Sequence, residues 1–254
     1  MLQKKLLLLS LIPFFLGQAS LAQSGLKFGV KIKPGNAIES FPNNKYTAIA
    51  SGKNIVIVNN ISGTISKTYQ GHTSTITDLD INEDGNLLLS SANDKTLIIW
   101  DINSGLKKYH LKGHTKSVTK VQFISSDKVA SLSTDNTLRI WDINSGKELN
   151  SFSDHKKNVH ALAVGKNYIA TGGSDGEIVL RAKNDGSLVN RFSVGTSSIR
   201  SLTFDLKGDK LISGTDDGMI KFWDPENGDL QGEINNGRGK INNISLAFDN
   251  IHLV

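Results

Sequence analysis

No cysteine occurs in the chain, which excludes a disulfide framework, a thiolate metal site and a cysteine nucleophile. Proline is scarce, with 4 residues against 24 glycines, a balance that fits many short turns. Neither a P-loop nor H-E-x-x-H is present, so the usual local signatures of phosphate cradling and zinc hydrolysis are missing. A large excess of one charge sign is also lacking. The net charge is +5, which over a chain of this size does not call for a nucleic-acid partner. At 254 residues with 38% hydrophobic and 21% charged side chains, the chain has the length and composition of one large globular all-β domain.

A long apolar run is absent too. The stretch Leu6–Gly17 is interrupted by Pro13 and reaches only about 12 residues, where about 20 are needed to span a bilayer. Lys4 and Lys5 precede it and Ser20-Leu21-Ala22 follows. This order reads as a secretory signal peptide over 1–22, cut after Ala22. The expectation is an exported protein, periplasmic or secreted, with no membrane span after cleavage and, lacking cysteine, no lipid anchor. The mature charge falls to +3, because the signal takes away two lysines. In the following segment, 23–36, Leu26, Phe28, Val30 and Ile32 alternate with Lys27, Gly29, Lys31 and Lys33, the period of a half-buried strand with a charged outer face.

From residue 37 on, the chain repeats itself. Gly71-His72 opens a unit that passes an Asp84-Gly85 turn, runs through LLLSSANDKTLIIWD to Trp100-Asp101, and reaches Gly113-His114 after INSG and LKKYHLK. The next unit repeats the order, and DINSG stands unchanged at Asp101–Gly105 and Asp142–Gly146. Val58, Trp100, Trp141, Arg181 and Trp223 are equivalent positions, spaced by 42, 41, 40 and 42 residues, and all 3 tryptophans fall on them. The units run about 37–70, 71–112, 113–153, 154–194 and 195–236, with a partial one over 237–254 whose NISLAFDN resembles a first strand. A fixed period of this length signals a solenoid, propeller or array.

With Gly-His at the start and Trp-Asp at the end of its best units, the chain resembles the WD40-repeat family. The resemblance implies an all-β propeller with five recognisable four-stranded blades and part of a sixth. At the 40–45-residue period a seven-bladed ring needs about 300 residues, so the ring is expected to be incomplete and the sequence a fragment or a shortened reading frame. By the same resemblance, Leu26–Lys33 is placed to clasp a ring shut.

The resemblance also assigns structural tetrads: His72, Ser90, Asp94 and Trp100, then His114, Ser131, Asp135 and Trp141. Partial sets are His155, Thr171 and Asp175, with Arg181 where Trp would stand, and Ser213, Asp217 and Trp223, without their His. The physical reason for such a set is satisfaction of buried polar groups, since an indole N–H needs an acceptor and a hydroxyl can pass the chain through His to Asp. The two incomplete blades are expected to be less rigid. Ser90, His72 and Asp94 could also be read as a hydrolytic triad, but the same offsets recur one repeat later and an enzyme needs one site, not one per blade. Asp80-Ile-Asn82-Glu-Asp84-Gly85 matches half a calcium loop. Its twelfth position is Ser91, and a β-turn explains it better. Asp216-Asp217 reads as one tetrad member and one exposed turn residue rather than a carboxylate pair.

No catalytic residue, cofactor or metal is assigned. What remains is surface. In the family, partners meet the loops entering each blade and the turns between second and third strands. Here these comprise Thr75, Thr77, Asn93, Ser117, Thr119, Thr134, Lys156, Lys157, His160, Ser174, Arg200 and Asp216, a mildly basic rim. The expected function is a non-catalytic platform for a protein or peptide partner. Two alternatives stand: a ligand-binding or enzymatic propeller using the central channel, for which no converging non-repeated cluster is visible in the sequence, and a truncated product without function of its own.

Overall fold

Segments such as LLLSSA and TLIIWD are apolar on both faces, which suits a strand sandwiched between two neighbouring sheets. KKYHLK, by contrast, keeps its lysines in water and buries only Leu111 fully. A computed structural model describes residues 36–235, 237 and 239–245; the expected signal peptide over 1–22, the expected strand Leu26–Lys33 and most of the partial last unit lie outside the described residues.

The first sheet holds β1 (Ile38–Ser40), β2 (Tyr46–Ser51), β3 (Asn54–Asn59) and β4 (Ile65–Gln70). The second holds β5 (Ile76–Ile81), β6 (Leu87–Ala92), β7 (Thr96–Asp101) and β8 (Lys107–Lys112). The third holds β9 (Val118–Phe123), β10 (Lys128–Ser133), β11 (Leu138–Asp142) and β12 (Glu148–Phe152). The fourth holds β13 (Val159–Val164), β14 (Tyr168–Gly173), β15 (Glu177–Ala182) and β16 (Leu188–Ser193). The fifth holds β17 (Ile199–Phe204), β18 (Leu211–Thr215), β19 (Met219–Trp223) and β20 (Leu230–Asn235). Each is a four-stranded antiparallel meander in chain order, and the described residues contain no helix. These five sheets are the blades, and the first strands β1, β5, β9, β13 and β17 lie side by side from blade to blade.

The blades pack through apolar faces. Ala48, Ile55 and Ile57 of the first meet Ile76, Leu88, Ile98 and Trp100 of the second, and Leu89, Leu97 and Ile99 meet Val118, Val129 and Trp141 of the third. Their joint burial is the main favourable term, at about 1.5–3 kcal/mol for each large side chain fully removed from water. Residues 241–245 form no strand but follow the fifth blade. Ile241 N–H donates to the Thr215 carbonyl at 3.0 Å, and Ile241 and Ile244 bury against Ile212.

One aromatic side chain on the outer strand of each of the first four blades presses on the last turn of the next. Asp142 Oδ1 accepts both the Ser145 N–H at 2.6 Å and its hydroxyl at 2.7 Å, and Gly146 closes that turn at φ 70°. A Cβ on Gly146 would lie 2.7 Å from Tyr109 Cδ1, while the Tyr109 hydroxyl donates to the Asn144 carbonyl. Tyr69 on Gly105, Phe152 on Gly186 and Phe192 on Gly228 repeat the arrangement. Gly146→Ala is therefore expected to cost about 1–2 kcal/mol from the left-handed backbone alone, plus displacement of Tyr109. Chemical denaturation reads it, and an unchanged midpoint would contradict the packing described.

Candidate functional site

Beneath the loop end of the second blade, the Trp100 indole N–H donates to Ser90 Oγ at 2.9 Å. Ser90 donates on to His72 Nε2 at 2.8 Å, and His72 Nδ1 donates to Asp94 Oδ2 at 3.0 Å; this is the neutral tautomer the network requires. Asp94 also accepts the Thr73 N–H at 2.8 Å and the Thr96 hydroxyl at 2.6 Å. Burial holds the His72 imidazole below its ordinary value, and Asp94 opposes this only in part. Burial alone would raise the Asp94 carboxyl, but the donors of Thr96, Thr73 and His72 together hold it low. The third blade repeats the set, with Trp141 on Ser131 at 2.9 Å, Ser131 on His114 at 2.7 Å and His114 on Asp135 at 2.9 Å. Ser90 and Ser131 are both 0% exposed, and a hydroxyl sealed under Trp cannot reach a scissile carbonyl. These networks tie the entry loop of a blade to its third strand.

In the fourth blade His155 meets Thr171 at 2.9 Å and Asp175 at 3.1 Å. Where the sequence suggests only a lost Trp, the structure places a working substitute. Arg181 is 9% exposed, with its Nε and Nη2 on the two Asp154 carboxylate oxygens at 2.8 and 2.7 Å and Nη1 on the Gly186 carbonyl at 2.7 Å. Its guanidinium lies 3.7 Å from the centroid of the Phe152 ring, as Trp100 stacks on Tyr69 in the second blade. Asp154 stands where the second and third blades have Gly71 and Gly113. A Cβ on Gly71 would come within 2.7 Å of Trp100 Cη2, and one on Gly113 within 2.9 Å of Trp141 Cη2. In these two blades a side chain at the glycine would crowd the tryptophan, together with Lys107 in the second and Arg139 in the third, and the fourth blade has exchanged both residues together. In the fifth blade Trp223 donates to Ser213 at 2.8 Å. Asp217, without a His, takes the hydroxyls of Ser197 and Thr215.

The loop end above these networks is joined the same way in four blades. The N–H groups of Asn93, Thr134, Ser174 and Asp216 donate to the carbonyls of Thr75, Ser117, Asn158 and Ser198 at 2.8–3.0 Å, clamping each strand turn to its entry loop. Thr75, Asn93, Thr134, Lys156 and Lys157 are exposed. The other candidate contact residues are half-buried, and most are engaged with one another. Thr77 pairs with Ser91 at 2.8 Å and His160 with Ser174 at 2.7 Å; Thr119 reaches only the Leu132 carbonyl at 3.3 Å, and the Ser117 side chain is half-buried. Arg200 holds Asp216 through two bonds, at 2.7 and 2.9 Å. Arg200 thus adds no free charge to the rim, a correction to the sequence reading that counted it as basic.

A second correction concerns the inner strands. Glu39, Asp78 and Asp80 come together there, a non-repeated acidic group absent from the sequence reading. Asp78 Oδ2 accepts the Val121 N–H at 3.1 Å and Asp80 Oδ2 accepts the Phe123 N–H at 2.6 Å, so both carboxylates stitch the second blade to the third. Lys120 Nζ lies 3.6 Å from Asp78. Gln122 does the same for the Val164 N–H at 3.0 Å, and Ser201 for the Ile244 N–H at 2.8 Å. Burial, with Asp78 adding to it, pushes the Glu39 carboxyl up to about 7, and burial raises the Asp80 carboxyl well above its ordinary value. The available signal is the i, i+2 pair of aspartates in ITDLDI, which must share one face. Among the described residues no group of three or more His, Asp or Glu could hold a metal ion.

The chain shares sequence with proteins of widely different names. It is 24% identical over 176 residues to Autophagy-related protein 16 of Arabidopsis thaliana, covering 68% of this chain and 35% of that protein. It is 26% identical over 251 residues to Protein ROOT INITIATION DEFECTIVE 3 of the same plant, covering 85% of this chain and 57% of that protein. Over 60 residues it is 38% identical to Eukaryotic translation initiation factor 3 subunit I of Schizosaccharomyces pombe, covering 24% of this chain and 18% of that protein. The chain therefore spans less than two thirds of the length of each. The family model for the WD domain, G-beta repeat, matches residues 63–101, 105–142, 146–180 and 186–224. Each match takes the outer strand of one blade with the three inner strands of the next, so the sequence repeat straddles the seam that the aromatic side chains and turn glycines close. The matches cover more than half of the chain, and with five four-stranded blades and buried Trp–Ser–His–Asp networks beside them, this protein belongs to the WD40 family.

Proposed function

We propose that this protein is a non-catalytic binding platform that presents its loop end to a protein or peptide partner. The observation that carries the reading is the repeated clamp between entry loop and strand turn in four successive blades. It holds Thr75, Asn93, Thr134, Lys156 and Lys157 outward on a preorganised frame, and a frame ordered before binding loses little entropy on binding. A relative named as a subunit of an initiation factor is in keeping with a role in assemblies. The reading further includes export, on the strength of residues 1–22; a mature protein beginning at Gln23 by N-terminal sequencing is the expected result, and an intact Met1 in the cell interior would refute it.

The binding face is tested by placing a photo-crosslinking p-benzoylphenylalanine at Ser117 or Thr134, and at Asn144 on the opposite end as a control. Adducts in a native extract are expected from the first two positions and not the third. Equal labelling from both ends, or none from the loop end, would refute the reading. A channel ligand is the second reading, favoured by Glu39, Asp78 and Asp80. It ranks lower because both aspartates are already engaged with backbone amides of the third blade.

A further inference from the structure

Building on the platform reading, we infer that the partner offers an acidic, extended peptide segment, held by a crown of lysines on the loop end. Lys53, Lys95, Lys116, Lys156, Lys157 and Lys240 are all exposed, and the fold brings them to one end from four different blades and from the segment after the fifth. Lys53 adjoins Gly52, whose carbonyl accepts the Ile76 N–H at the entry to the second blade. Lys95 follows Asp94 in the turn clamped to the entry loop, and Lys116, Lys156 and Lys157 lie in entry loops. Lys240 precedes Ile241, which is anchored to Thr215.

The carboxylates at this end are engaged internally. Asp94, Asp135 and Asp175 are held by histidines, Asp154 by Arg181, and Asp217 by two hydroxyls. Asp216 is held by Arg200 and lies 3.9 Å from Lys240. Among the described residues no carboxylate lies within ion-pair distance of Lys53, Lys95, Lys116, Lys156 or Lys157. The opposite end mixes exposed Glu83, Asp84 and Glu226 with Lys45, Lys166 and Lys207. The field of the loop end is therefore positive, and it steers and holds anionic partners.

Two observations favour carboxylates on a peptide over the phosphates of a nucleic acid. Every arginine among the described residues is already ion-paired, Arg139 to Glu148, Arg181 to Asp154, Arg191 to Glu177 and Arg200 to Asp216, so none of these offers a free guanidinium fork for bidentate phosphate binding. Among the described residues no aromatic side chain occurs in the loops and turns of this end, so these offer no platform for the stacking on which single-stranded nucleic-acid binding relies. The lysines alternate instead with short hydroxyl side chains, Thr75, Ser117 and Thr134, which hydrogen-bond a carboxylate or a peptide backbone equally well.

The test is fluorescence anisotropy on the full chain with a labelled oligoglutamate peptide. Oligoglutamine, a DNA duplex and phosphatidylglycerol vesicles are the comparison probes. Oligoglutamate is expected to bind and oligoglutamine not to. The K116E/K156E/K157E variant should lose affinity by about tenfold or more, with an unchanged melting temperature, while K45E/K166E/K207E on the other end stays within about twofold. Raising salt should weaken binding as the Debye length shrinks. No binding of oligoglutamate, equal loss in both variants, or tighter binding of DNA or vesicles through the same lysines would overturn the inference. If any of these occurs while crosslinks still form from Ser117, the charge assignment fails and the platform reading stands; if those crosslinks fail as well, the platform reading falls with it.

Discussion

Arg181→Ala lowers the stability of the protein by about 3 kcal/mol, the lower end of the cost of breaking a buried ion pair. The lower end applies because Asp154 keeps a second, longer contact to Arg191 at 3.7 Å. The change also strips the planar group off Phe152 and leaves the Gly186 carbonyl without its donor. Arg181→Trp alone does not help. A Cβ at the Asp154 position falls where the equivalent atom on Gly71 would meet Trp100 Cη2 at 2.7 Å, and Asp154 would lose its main partner. Asp154→Gly alone leaves a buried guanidinium unpaired. The double change D154G/R181W rebuilds the arrangement of the second blade, since Thr171 precedes Arg181 by the same ten residues that separate Ser90 from Trp100, and its hydroxyl can accept the indole N–H. The double variant should lie within about 1 kcal/mol of the parent, and the coupling energy across the cycle should exceed about 2 kcal/mol. Additive effects in urea denaturation would show that the two exchanges are unrelated.

Glu39→Gln stabilises the protein at pH 8 by roughly 2–3 kcal/mol and changes little at pH 4. The Glu39 carboxyl is raised from 4.5 to about 7, so between these values the native state binds the proton that the unfolded chain has lost. Stability from this group is therefore fully present below about pH 4.5, declines as pH rises, and is gone above about pH 7. The magnitude is the raised value at about 1.4 kcal/mol per unit, reduced for partial exposure. His72 and His114, both held low by burial, act in the opposite direction, losing stability as pH falls below their unfolded value. The net profile of the parent can therefore be flat, and the measurement that isolates Glu39 is the difference between parent and variant across pH 4–8. A difference that does not grow with pH would contradict its burial beside Asp78.

The two predictions bear on different links between sequence and function. The first concerns the frame beneath the loop end. If the exchange at Asp154 and Arg181 preserves the frame, the fourth blade presents Lys156 and Lys157 as firmly as the third presents Lys116, and the lysine crown is rigid around its basic arc. The second concerns the inner strands, where the carboxylates that join the second blade to the third also set how firmly those blades hold together at neutral pH.

Much of the architecture was legible along the chain because its signals are local. A repeat of 40–42 residues, apolar runs bounded by Asp-Gly and Asn-Ser-Gly turns, and Gly-His and Trp-Asp landmarks each depend on residues close in sequence, and they name the family and place its buried networks. What tertiary structure alone decided involves residues brought together from afar. Asp154 and Arg181 each look like a lost landmark until they are seen to face each other. Arg200 reads as a rim cation until Asp216 claims it. Glu39, Asp78 and Asp80 belong to different repeats and converge because first strands of successive blades lie side by side. Local periodicity determines which residues form a strand and which way they face; which charge meets which depends on how one sheet stacks against the next. That stacking is set by the summed burial of all five blades, a quantity no short stretch of sequence contains.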